Sequence, residues 1–158
     1  MIFWEKILSA AVTAAFLLTL LFAAVTDYRE RIIHNGCHIV IFILGTAALW
    51  LFPERTLAAK CIGIAAVSLP MLALTLLIPG AFGGGDIKLV VACGWMLGWQ
   101  GVVCGFAVAV LCGGAVEGVR LVQKKTDRKD SFAFGPYLAV GMAVAWFGAD
   151  WLINWFWQ

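Results

Sequence analysis

The chain has 158 residues, 63% of them hydrophobic and 13% charged, with a net charge of +2 and a mean hydropathy of +0.97. Soluble domains carry about 25% charged residues, so a water-soluble core is excluded, and so small a charge argues against a nucleic-acid partner. At about 20 residues per membrane-spanning helix, the chain holds at most about six or seven spans and no sizeable soluble domain. The first apolar run, Ile7 to Val25, is longer than a signal-peptide core and has no convincing small-residue cleavage site behind it, so it reads as a retained helix. Five further apolar segments follow, giving in all residues 7 to 26, 38 to 52, 57 to 78, 87 to 99, 102 to 122 and 134 to 157.

Membrane-spanning backbone must satisfy its own hydrogen bonds, and the alternating strands of a barrel are absent, so these segments are expected to be helices. The fold class is therefore an all-α integral membrane protein, a polytopic bundle of about six transmembrane helices in one domain. The break at Gly98-Trp99-Gln100-Gly101 is weakly marked. Without it, residues 87 to 122 form one helix of about 54 Å, too long for a bilayer, so a turn is required there. Lys and Arg then divide unevenly between the two sides. Arg29, Arg31, Lys88, Arg120, Lys124, Lys125, Arg128 and Lys129 fall on one, Lys6, Arg55 and Lys60 on the other. An excess of positive charge marks the cytoplasmic side. That side collects three connections, Thr26 to Cys37, Gly80 to Lys88 and Val122 to Ala133.

Two of these connections carry a carboxylate at membrane-boundary depth. Asp86 ends the run Gly83-Gly84-Gly85-Asp86-Ile87-Lys88-Leu89 and opens an apolar segment, where a carboxylate can also serve simply as a helix cap. Asp27 lies in Val25-Thr-Asp-Tyr-Arg-Glu-Arg-Ile-Ile-His-Asn-Gly36 and taken alone is a helix-end charge. Brought together, two carboxylates share a proton. The charged member can activate water while the neutral member protonates a carbonyl or a leaving amine, which is aspartic protease chemistry. Intramembrane acids also relay protons or bind cations in transporters, and a noncatalytic assembly role is a third reading. The near absence of polar residues from the third and fifth segments disfavours a continuous ion path.

The five cysteines, Cys37, Cys61, Cys93, Cys104 and Cys112, show no CxxC spacing and mostly lie in apolar stretches. They imply no disulfide and no metal site, and nothing calls for a cofactor. His34 and His38 have metal-ligand spacing but straddle Asn35-Gly36 and lack a third ligand. Lys88 can orient the substrate or the Asp86 carboxyl, or snorkel to the headgroups. Glu117 and Arg120 read as a local pair.

Three blocks resemble the type IV prepilin peptidases and preflagellin peptidases, the GxGD membrane aspartic proteases. Gly83 to Leu89 resembles their GxGDxKL segment, and Asp27 to Asn35 their first-aspartate block. Phe134-Gly135-Pro136-Tyr137-Leu138-Ala139-Val140-Gly141 is similar to their FGPxLxxG segment. The resemblance implies a peptidase with Asp27 and Asp86 as catalytic residues. It implies further that Gly83, Gly85, Lys88, Asn35, Gly135 and Pro136 shape the site or contact a prepilin-like membrane substrate. It also implies a multi-pass protein of the inner membrane, with its site toward the cytoplasm. One departure is Ile33-His34-Asn35 in place of the usual Ile-Pro-Asn. A second is that no paired CxxC region precedes the first helix, so the resemblance implies peptidase without N-methyltransferase.

Overall fold

A computed structural model describes residues 3–52, 55–123 and 133–156, and these fold into helices without a strand. The helices are α1 (Phe3–Glu30), α2 (Asn35–Leu51), α3 (Leu57–Ala66), α4 (Ser68–Leu77), α5 (Gly84–Val122) and α6 (Gly135–Phe156). By length and composition, Trp4–Glu30, Leu57–Leu77 and Gly84–Arg120 can cross a membrane, and Asn35–Leu51 and Gly135–Gly148 are shorter apolar helices. Large apolar side chains cover the outside, among them Trp50 at 89% exposure and Leu77 at 79%. Such a surface needs a lipid rather than an aqueous solvent. The protein is a polytopic helical membrane protein.

Two helix breaks have identifiable causes. Residues 57–77 divide at Val67, whose φ of −110° interrupts the helix. Pro70 follows three residues later and can neither donate to the carbonyl of Ala66 nor fit beside it. The second break is Gly98, at φ 78° and ψ 173°, inside α5. A straight helix would hold the levels of Gly84 and Phe106 about 33 Å apart. Yet the Phe82 and Phe106 rings are 6.3 Å apart, so α5 folds back on itself into two arms at the glycine. The turn expected from length alone between residues 98 and 101 is therefore present, and it uses a backbone conformation that favours glycine.

With that reversal the chain runs back and forth between two ends. Phe16 of α1 packs on Trp146 of α6 at 5.3 Å, while Asp27 meets Gly135, so α1 and α6 are antiparallel. The first arm of α5 runs parallel to α2, since Lys88 meets Asn35 and Trp95 meets Thr46. Glycines bring backbones close. A Cβ on Gly63 would lie 2.8 Å from the Gly98 carbonyl carbon, and one on Gly105 3.1 Å from the Gly141 oxygen. This is the small-residue packing by which membrane helices approach one another. Phe16, Ile41, Leu89, Met96, Leu138 and Met142 fill the centre.

One expectation needs correction. Lys60 does not sit among the loop charges of the far side. It is fully buried in the first turns of α3, with Nζ donating to the Gly45 carbonyl at 2.8 Å and lying 5.9 Å from the centre of the Trp95 ring. A helix carbonyl and a π face receive the ammonium where water cannot. Arg55 does lie at the far end, its guanidinium 4.3 Å from the Trp146 ring centre. Lys124, Lys125, Arg128 and Lys129 fall outside the described residues.

Candidate active site

The ends of α1, α4, α5 and α6 converge at one end of the bundle. Asp27, near the C-terminus of α1, and Asp86, third in α5, are each 7% exposed. Asp27 lies against Gly135 and Asp86 against Gly83, and Phe134 and Phe82, which precede those glycines, have ring centroids 5.8 Å apart. The structure thus brings the two sequence-predicted acids together, from helices joined only through α2, α3 and α4.

Each acid is held by backbone from one of the glycine blocks. The N–H of Gly135, first residue of α6, donates to Asp27 Oδ2 at 2.9 Å. That N–H is one of the free donors at a helix start, where the helix dipole also favours negative charge. A Cβ on Gly135 would sit 2.6 Å from Asp27 Oδ2, so the carboxyl occupies the space a side chain would need. Pro136 follows within the first turn, where its missing N–H costs nothing. Asp86 is not the N-cap itself. Gly83 holds that position, its carbonyl accepting from Ile87 at 3.2 Å. The Asp86 carboxyl turns back toward the Gly83 N–H, as an acidic residue at the third helical position does in a capping box. Asp86 Oδ1 is buried without a hydrogen-bond partner.

The first-aspartate block shapes the turn beside them. Arg31 closes α1 at φ 55°, its N–H donating to the Asp27 carbonyl at 2.9 Å. Ile33 is buried against Gly85, where a Cβ would lie 3.3 Å from the Ile33 Cβ, whereas Gly84 has open space. His34 stands at φ −64° and ψ 135°, a conformation proline itself adopts. The departure from Ile-Pro-Asn therefore leaves the backbone path open to proline.

Lys88 and Asn35 do not join the acids. The Lys88 ammonium approaches Asn35 Oδ1 at 3.4 Å, beside an open groove of about 520 Å³ between α2 and the first arm of α5 that neither aspartate lines. Glu117 and Arg120 form the expected pair at 3.0 Å, and Tyr137 adds its hydroxyl, donating to Glu117 at 3.3 Å. Among the described residues no three His, Cys, Asp or Glu could hold a metal.

Sequence reasoning passed over the rings of Phe82, Phe106 and Phe134, whose centroids are 5.8 to 6.3 Å apart. They tie the two glycine blocks together. A signal was present, since a phenylalanine immediately precedes the first glycine of each block. By its spacing from His34, His38 reads only as a metal ligand. It instead places Nε2 3.2 Å from the Gly85 carbonyl oxygen.

Fold and site define a helical membrane protein with two buried aspartates meeting at one end. The profile of the type IV leader peptidase family matches residues 14–117, a range that includes both acids, and the chain belongs to that family. It is 29% identical over 143 residues to a prepilin leader peptidase/N-methyltransferase of Bacillus subtilis, covering 89% of this chain and 57% of that protein. A protein of the same description from Pectobacterium carotovorum is 43% identical over 61 residues, 39% of this chain and 22% of its own length. One from Legionella pneumophila is 31% identical over 74 residues, 47% and 26% respectively. The chain thus spans little more than half the length of the first of these relatives. No solved structure matches.

Proposed function

We propose that this protein is an intramembrane aspartic endopeptidase that removes the short basic leader from type IV prepilin-like precursors, with Asp27 and Asp86 as its catalytic pair. One observation carries the reading: two buried carboxyls from separate helices stand at one end of a membrane bundle, Asp27 against Gly135 and Asp86 against Gly83, and the phenylalanines that precede these two glycines have ring centroids 5.8 Å apart. Buried acids at that depth are costly and are retained for chemistry. In the proposed reaction the ionised member takes a proton from water as its oxygen adds to the scissile carbonyl carbon, and the neutral member protonates the carbonyl oxygen. The tetrahedral intermediate collapses as the newly protonated carboxyl gives its proton to the amine nitrogen and the other carboxylate takes a proton from one hydroxyl, breaking the C–N bond and restoring the pair. Gly135 and Gly83 keep the two acids in place.

The acids lie at the end that also carries Arg29, Arg31, Lys88 and Arg120. That excess supports a cytoplasmic orientation of the site in the inner membrane, at the boundary where a leader preceding an apolar helix would be reached.

Coexpression with a prepilin-like precursor tests the reading through a mobility shift on leader loss. Asp27→Asn and Asp86→Asn are each expected to abolish cleavage at normal abundance, and the double variant to be no worse, as for residues acting as a unit. Near wild-type processing by either Asn variant would sink the two-aspartate mechanism. A proton pathway would show itself as transport lost in the Asn variants with no precursor cleaved by the wild type.

A further inference from the structure

We infer that His38 is a positioning residue for Asp86, acting through the peptide that precedes it. The inference rests on the reading of Asp86 as catalytic. His38 Nε2 lies 3.2 Å from the Gly85 oxygen. A carbonyl oxygen only accepts, so Nε2 carries the proton and donates. Nδ1 is then a lone-pair nitrogen, buried and without a hydrogen-bond partner. The ring's one hydrogen bond is therefore spent on the residue immediately before Asp86.

The location makes that bond consequential. Gly85 has no side chain with which to lodge itself, and it belongs to the first turn of α5, where the helix has least backbone support. Its two neighbours here both come from the first-aspartate block and the helix it opens: Ile33 packs on one side and His38 bonds from α2. Two other side-chain bonds join α2 to the first arm of α5, Lys88 to Asn35 and Trp95 to Thr46, but neither touches the Gly83–Asp86 turn. Of the three bonds, only that of His38 falls on the turn itself, at the residue before Asp86.

The tolerance is small. A carboxyl about 5 Å from a helix axis moves about 0.9 Å for a roll of about 10°, and a misplacement of about 1 Å costs on the order of 100-fold in rate. A histidine can thus govern the pairing of Asp86 with Asp27 without touching either carboxyl or the substrate. In this role it needs no metal, and its i,i+4 relation to His34 is incidental.

The test uses the full chain reconstituted in bilayers as wild type, His38→Leu, which keeps the bulk without the donor, and His38→Gln, whose amide N–H reaches a similar point. His38→Leu is expected to lower kcat for leader removal about 10- to 100-fold with KM unchanged, and His38→Gln to recover most of the loss. The ¹³Cγ resonance of labelled Asp86 should move in the Leu variant and return in the Gln variant. An unchanged kcat and resonance in His38→Leu, or no recovery in His38→Gln, overturns the inference. So does a rate loss that only tracks a loss of thermal stability. If the wild type cleaves no prepilin-like precursor, the proposed function fails instead, and the Asp86 resonance still decides the role of His38.

Discussion

The amide of Gly135 and the carboxyl of Asp27 are joined by a 2.9 Å hydrogen bond across 108 positions of sequence. The bond fixes the start of α6 against the end of α1, and it depends on the absence of a side chain at Gly135. Gly135→Ala places a methyl 2.6 Å from Asp27 Oδ2 and 2.8 Å from its Cγ. The carboxyl must move or the helices must part. Overpacking of this kind costs about 1 to 3 kcal/mol, and displacing an acid by about 1 Å costs on the order of 100-fold in kcat. Thermal unfolding and cleavage assays on the same preparation would show both losses. An Ala variant of full activity would mean that Asp27 is not held by this contact during catalysis.

The two glycines before Asp86 are expected to differ. Gly85→Val meets Ile33 within 3.3 Å of its Cβ, whereas a Cβ on Gly84 meets nothing within 4 Å. Gly85→Val should therefore lose activity by about 10-fold or more as the turn shifts. Gly84→Ala should stay within about three-fold of wild type, since a surface change away from special contacts is worth about 0.5 kcal/mol or less. Reversal of that order in a precursor-cleavage assay would contradict the placement of the turn.

His34→Pro should be accepted. The native φ of −64° is what the proline ring imposes, and a compatible proline stabilises by about 0.4 to 1 kcal/mol by restricting the unfolded chain. A higher melting temperature with unchanged cleavage is the expected result. A destabilised variant would show that the His34 N–H or side chain does something proline cannot.

Orientation can be read from single-cysteine probes in a cysteine-free background. Arg29 and Thr56 lie at opposite ends of the bundle, and both are exposed. With the acids toward the cytoplasm, an impermeant thiol reagent applied to intact cells labels a cysteine at Thr56 and spares one at Arg29. The opposite pattern inverts the topology.

Much of this arrangement was legible in the sequence because membrane geometry constrains it so tightly. Helix length forced a turn near Gly98, and the charge split gathered Asp27, Asp86 and the Gly135 block at one end before any contact was known. The split at Val67 was harder to see, since Pro70 lies within an unbroken apolar run and only the lost hydrogen bond marks it. The contacts of Gly85 with Ile33 and His38 were not legible. They depend on how α2 and α5 roll against each other, which no local pattern encodes. Lys60 misled for the same reason, because a lysine near a helix start reads as an interface charge unless the neighbouring carbonyl and indole are known.

The burial of Lys60 bears on the order in which the chain enters the bilayer. A lysine ammonium buried among membrane helices is costly without a polar partner. Lys60 is fully buried although it lies near the start of α3, so α3 gains from entering together with the helix that supplies that partner. Its carbonyl partner, Gly45, belongs to α2 and has already been synthesised when Lys60 emerges, whereas Trp95 comes later. The pair α2 and α3 can therefore partition as one hairpin with the ammonium already lodged on Gly45. The indole would close over it only when the first arm of α5 arrives.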